Sequence, residues 1–152
     1  RSRGLGDVYK RQVMLDIRTA PYAALLLRIT LGALFLAHAG LKLFVFTPAG
    51  TAQFFTSLGL PGGLAYITIV WEIVGALALI LGAYTRWVAL IMTLPLIGAI
   101  ATVHGPAGFF FTNPNGGWEF LALWIVALLA LALMGDGAFA AKPSRSASGE
   151  RV

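Results

Sequence analysis

Four apolar runs govern what this chain can fold into. They are residues 22–46, "YAALLLRITLGALFLAHAGLKLFVF"; 62–83, "GGLAYITIVWEIVGALALILGA"; 86–104, "RWVALIMTLPLIGAIATVH"; and 118–134, "WEFLALWIVALLALALM". A helix of about 20 apolar residues crosses the roughly 30 Å hydrocarbon core of a bilayer. Each run is therefore read as a transmembrane helix. The fourth is short and should tilt little, and Pro95 should kink the third mid-span. Composition agrees: the chain is 59% hydrophobic and 11% charged, whereas a soluble domain is about a quarter charged. The expected fold is all-α, a polytopic membrane protein built as a four transmembrane helix bundle.

Charge placement sets its direction. Arg18 precedes the first run, Arg86 sits in the turn between the second and third, and Lys142, Arg145 and Arg151 follow the fourth, while residues 47–61 and 105–117 hold no Lys or Arg. Positive flanks stay in the cytoplasm, so the expected topology is N-in/C-in. The two uncharged loops then face outward, with Phe54, Phe55, Phe109, Phe110, Phe111 and Trp118 as an interfacial aromatic belt. The stretch "TAQFFTSLGLPGG" is expected along the membrane surface. Residues 140–152, polar and Ser-rich, read as a disordered cytoplasmic tail.

The first twelve residues stand apart. They carry +3 of the formal net charge of +5. "DVYKRQ" can be written as GAT GTG TAT AAG AGA CAG, which looks like a sequencing adapter translated in frame. Residues 1–12 are expected to be such an artefact and Met14 the native start, leaving residues 14–139 as the membrane domain. A real basic arm that binds anionic lipid is the alternative. The Ala37-His38-Ala39 pattern also allows cleavage as a signal peptide, but the apolar run continues past it. There is no cysteine, which removes thiol catalysis, disulfides and Cys-ligated metals. No basic stripe interleaved with aromatics suggests nucleic acid.

The informative residues are the ionisable ones inside lipid, because each is costly there unless paired or facing a wet cavity. Arg28, His38 and Lys42 fall within roughly a third of the circumference of helix one. Glu72 lies near the middle of helix two. His104 ends helix three and Glu119 begins helix four. Glu72 is too short to snorkel, so it is expected to be protonated or paired, with Lys42 or Arg28. Together these groups predict a polar pocket in the outer half of the bundle with Glu72 as its floor. Arg28 and Lys42 could also simply snorkel to headgroups, and Glu119 could be an ordinary helix N-terminal charge. His38 and His104 sit at different depths, which disfavours a bis-histidine haem. No metal-ligand spacing is present. A flat polar headgroup with an apolar tail, such as a quinone, suits an aromatic-rimmed cavity of proton-exchanging groups.

The runs "LLLRITLGALFLAHAGLKLF", "LGLP", "WEIVGALALILGAYTRWVAL", "ATVHGPAGFF" and "GGWEFLALWIVALLALALMGDGAF" resemble the DoxX family of small bacterial four-helix membrane proteins. The resemblance spans about residues 22–139 and matches at Arg28, His38, Gly40, Lys42, Glu72, His104, Trp118 and Glu119. It implies a multi-pass protein of the bacterial inner (plasma) membrane. The related DoxD proteins resemble a subunit of thiosulfate:quinone oxidoreductase. The implied role is a quinone-interacting subunit of an oxidoreductase that works with a separate redox partner and has no redox centre of its own. Glu72, His38 and His104 are the candidate catalytic residues, and Arg28, Lys42, Trp118 and Glu119 the candidate ligand-binding ones. A non-enzymatic membrane anchor for a soluble redox or detoxification enzyme is the alternative. A proton-coupled carrier ranks last, since four spans would require a homo-oligomer.

Overall fold

A computed structural model describes residues 16–144. The adapter reading of residues 1–12, Met14 as the start, and the tail beyond Ser144 all lie outside the described residues. Among the described residues the chain is helical, with no strand and one isolated bridge between Ala83 and Lys142. The elements are α1 (Ala20–Gly40), a π-helical turn (Leu41–Val45), α2 (Pro48–Ser57), α3 (Gly63–Leu81), α4 (Thr85–Ile91), α5 (Thr93–Ala99), a second π-helical turn (Ile100–His104) and α6 (Glu119–Met134).

Three continuous helical stretches are long and apolar enough to cross a membrane: Ala20–Val45, Gly63–Leu81 and Thr85–His104. α6 is also apolar, but its 16 residues rise only about 24 Å at 1.5 Å each. The break in the third stretch falls between α4 and α5, at Met92, three residues before Pro95. A proline ring clashes with the carbonyl four residues earlier and has no N–H to donate, so the helix yields ahead of the ring. The stretch after the first π-turn forms a helix, α2, started by Thr47, whose Oγ1 accepts from Gly50 N–H at 3.1 Å.

α3 lies chiefly against α1, and α6 against α4 and α1, while α2 rests on α3. The α1–α3 approach is close at Gly32, where a Cβ would stand 2.9 Å from the Ala76 carbonyl oxygen. Leu31, Phe35, Leu79, Met92, Trp124, Leu128 and Leu131 form the core. The outward faces carry exposed Leu26, Ile67, Val70, Val74, Val126 and Leu133. An apolar surface of that extent belongs to lipid rather than water.

One end of the bundle is basic, with Arg18, Arg28, Arg86 and Lys142; the other holds the aromatic loop 105–118. Residues 135–144 run back across the basic end as a strap. Ala138 N–H donates to Pro21 O at 2.9 Å, Ala141 N–H to Leu81 O at 3.0 Å, and Lys142 N–H to Gly82 O at 3.2 Å. Tyr84 N–H returns a bond to Lys142 O at 2.8 Å. The sequence places residues 140–144 in a disordered tail. They are instead held, because they supply donors to the carbonyls left open at the end of α3. Asp136 secures the strap: its carboxylate accepts from Thr85 N–H (3.1 Å), Ser144 N–H (2.8 Å) and Ser144 Oγ (2.7 Å). Burial pushes this carboxyl up, but the hydrogen bonds from Ser144 and Thr85 outweigh it and hold Asp136 below the usual carboxylate range.

Candidate functional site

Glu72 lies mid-way along α3 on the face turned to α1, flanked by buried Ile69, Gly75 and Ala76. It is 6% exposed. Lys42 Nζ reaches both of its carboxylate oxygens, at 2.8 and 2.7 Å, in the only ion pair among the described residues. A carboxylate in so dry a place is tolerable only with such a partner. Of the two cations that the sequence offered to Glu72, the structure selects Lys42.

Lys42 is held by local distortion. It sits in the first π-turn, where Phe46 N–H bonds back five residues to Leu41 O at 2.8 Å. A π-turn carries one extra residue and leaves the regular ladder short of a bond, and such turns concentrate at functional positions. Thr51, buried in α2, donates its hydroxyl to Thr47 O at 2.9 Å, with Lys42 O at 3.4 Å as a weaker second acceptor. α2 thus braces the turn that presents the lysine.

His38 lies one helical turn before Lys42 and is exposed. Its ring meets Trp124 of α6 edge-on, with centroids 5.2 Å apart. Phe35 (4.6 Å) and Phe120 (5.6 Å) complete an aromatic box around the same indole. Trp124 is 4% exposed, and its Nε1–H is buried without an acceptor among the described residues. A buried orphan donor calls for an explanation. Sequence reasoning missed Trp124. The readable signal was a tryptophan within an apolar span, away from the interfacial belt where that residue usually sits.

His104, Trp118 and Glu119 gather at the aromatic end, where they shape loop 105–118. His104 closes the second π-turn, marked by a Gly105 N–H bond to Ile100 O at 2.7 Å. Its Nδ1 lies 2.8 Å from Gly116 O. Glu119 Oε1 accepts from Phe111 N–H at 2.8 Å. Trp118 stacks edge-on against Phe109 at 4.8 Å.

Arg28 does not join the cluster. It is 1% exposed and lies at the basic end, where Nη2 donates to Ala138 O (2.8 Å) and Phe139 O (3.1 Å) of the strap. A Cβ on Gly82, which caps α3 at φ 71°, would run into Arg28 Nη1. Arg28 shares a helix face with Lys42, but many residues of rise along α1 separate them. Its place is that of a strut beneath the strap, apart from the Lys42–Glu72 pair.

A cavity of about 610 Å³ lies elsewhere, between α3 and α4, with Val70, Trp71, Val74, Ala78, Ile91 and Met92 among its walls. Its lining is apolar, and Glu72 points to the neighbouring face of α3. The polar groups therefore meet as a closed ion pair and an aromatic box, not as the walls of this cavity.

Comparison with known proteins fits this arrangement. The DoxX family profile matches residues 23–105, which include most of α1, the Lys42–Glu72 pair and His104. CatD of Bacillus subtilis, named as a provisional oxidoreductase, is 40% identical over 119 residues, covering 78% of this chain and 84% of that protein. An uncharacterized protein of Haemophilus influenzae is 33% identical over 122 residues, covering 79% and 88%. No solved structure matches the chain. With its three membrane-length apolar helices and this pattern of residues, the chain is a multi-pass membrane protein and belongs to the DoxX family.

Proposed function

We propose that this protein is a quinone-interacting membrane subunit of a redox system in the bacterial inner membrane. It crosses the bilayer four times, with both termini cytoplasmic and the Lys42–Glu72 pair in the outer half. The short α6 spans as the fourth helix with little tilt, since tilting would shorten its reach. The basic end lies in the cytoplasm, as the distribution of Lys and Arg requires.

The observation that carries this reading is the buried, bidentate Lys42–Glu72 pair, whose lysine lies one turn along α1 from His38 and its aromatic box. Charged groups inside a membrane are retained where protons or polar ligands pass. A quinone supplies the redox chemistry: reduced to quinol, it takes up two electrons and two protons. The electrons come from a partner protein. The chain's own part is to bind and to move protons. His38 and the orphan Trp124 Nε1–H are suited to donate to a carbonyl oxygen, and His38 can relay a proton toward Glu72. The oxidoreductase name of CatD supports the same class of role.

The test is the quinone content of the full chain purified from membranes, against Glu72→Gln prepared identically. Near-stoichiometric quinone in the wild type, lost in the variant at a temperature where both remain folded, is the expected result. Equal background quinone in both would sink the reading. The membrane-anchor alternative would then lead. It is favoured by the hydrogen-bonded strap, which gives the basic end an ordered surface for a soluble enzyme.

A further inference from the structure

The basic end holds a second pocket, well away from Glu72. Between the start of α4 and the end of α6 lies a cavity of about 200 Å³, lined by Arg86, Trp87, Leu90, Ala132 and Ser144. Arg86 is fixed there at two points. Its backbone N–H donates to Ser144 Oγ at 3.2 Å. Its guanidinium lies over Gly135, where a Cβ would stand 2.8 Å from Nη2 and 3.1 Å from Nε. Gly135 has φ 95°, a conformation other residues rarely adopt, so the contact keeps a flat platform under the guanidinium.

Among the described residues that guanidinium donates no hydrogen bond and enters no ion pair. Asp136, the nearby carboxylate, is already committed to Thr85 and Ser144. The hydroxyl of Ser144 is likewise spent on Asp136. What remains is a rigid fork of N–H donors in a small cavity. Its outer walls are Trp87 and Leu90, 61% and 40% exposed on the face that meets lipid.

We infer that this pocket binds the phosphate of an anionic phospholipid in the leaflet at the basic end. The guanidinium matches two phosphate oxygens at once, which an ammonium cannot do. Trp87 stands at headgroup depth, and Leu90 and Ala132 meet the first carbons of the acyl chains. Asp136 lies behind Ser144 and repels a second negative charge, so a singly charged phosphodiester is favoured over a phosphate dianion. The cavity admits the phosphate and its glycerol, while the chains run along α4 and α6. This assignment stands apart from the quinone reading.

The test places the full chain in nanodiscs of phosphatidylcholine alone, or of phosphatidylcholine with phosphatidylglycerol, and follows thermal unfolding. Phosphatidylglycerol is expected to raise the wild-type midpoint by about 4 °C. Arg86→Lys keeps the charge but loses the fork, and Ala132→Leu fills the cavity while leaving the guanidinium. Both should lose most of that rise, and Arg18→Gln, at the same end but outside the pocket, should keep it. Absence of the rise in the wild type, or its full retention in both Arg86→Lys and Ala132→Leu, overturns the proposal. An equal rise from millimolar inorganic phosphate in phosphatidylcholine alone would assign the pocket to the free anion and overturn the lipid.

Discussion

Lys42 and Glu72 show what a sequence can and cannot say about a buried charge. That Glu72 had to be protonated or paired was legible, since a glutamate within an apolar span is too short to reach water. Which cation pairs with it was not, because Arg28 and Lys42 share a face of α1. The antiparallel register decides it. Arg28 lies over Gly82, and Gly32 lies beside Ala76 and Ile80, so Lys42 comes within about a turn of Glu72 and its long stem covers the rest. Removing one partner of a buried pair leaves a charge uncompensated, at a cost of about 3–5 kcal/mol. Lys42→Met should therefore lower the unfolding midpoint sharply in detergent. The double variant Lys42→Met/Glu72→Leu should recover most of the loss, and a double no more stable than the single would refute the account. Asp136 gives a pH signature. Its carboxyl is held below the usual range, so its contribution is present above the ordinary carboxylate pKa of about 3.9 and fades as pH falls through and below that value. Asp136→Asn should flatten the acid side of the stability profile, as followed by unfolding from pH 6 to 3.

The helices themselves were largely readable, because apolar length is a strong signal. α1 with its π-turn, α3 and α6 begin and end within about two residues of the expected runs. The π-turns were not readable. They depend on how Lys42 and His104 meet their partners, and hydrophobic periodicity carries no trace of a one-residue insertion. The strap was hidden for a similar reason: its composition is that of a loose tail, and its order comes from carbonyls at the distant end of α3. Two glycines separate helix-end geometry from mere smallness. Gly82→Ala must place a side chain at φ 71° and displace Arg28, costing more than about 1–2 kcal/mol. Gly98→Ala, with nothing within 4 Å of a new Cβ, should be neutral or stabilising by up to about 1 kcal/mol. Chemical unfolding of both variants in micelles checks the contrast. For loop 105–118, the His104 contact with Gly116 and the Glu119 contact with Phe111 predict faster amide exchange in His104→Ala and Glu119→Gln. Loss of quinone with unchanged exchange would instead put these side chains on the ligand.

The orientation that the distribution of Lys and Arg predicts can be measured directly, since the sequence holds no cysteine. Phe110→Cys should react with an impermeant maleimide in intact spheroplasts, and Lys142→Cys only once the membrane is opened. Reversal of that pattern would invert the topology, and labelling of both from one side would mean an odd number of crossings. The strap also has a consequence for how the protein is made. Translation delivers α1 and α3 to the membrane long before residues 135–144 leave the ribosome. Through that interval Arg28 sits near the end of α3 without the carbonyls of Ala138 and Phe139, and the last turn of α3 has open acceptors. Residues 135–144 satisfy both at once when they arrive. A nascent chain halted at Met134 holds α1 to α6 yet lacks the partners of Arg28 and of the last turn of α3, so it should unfold more readily than the full chain.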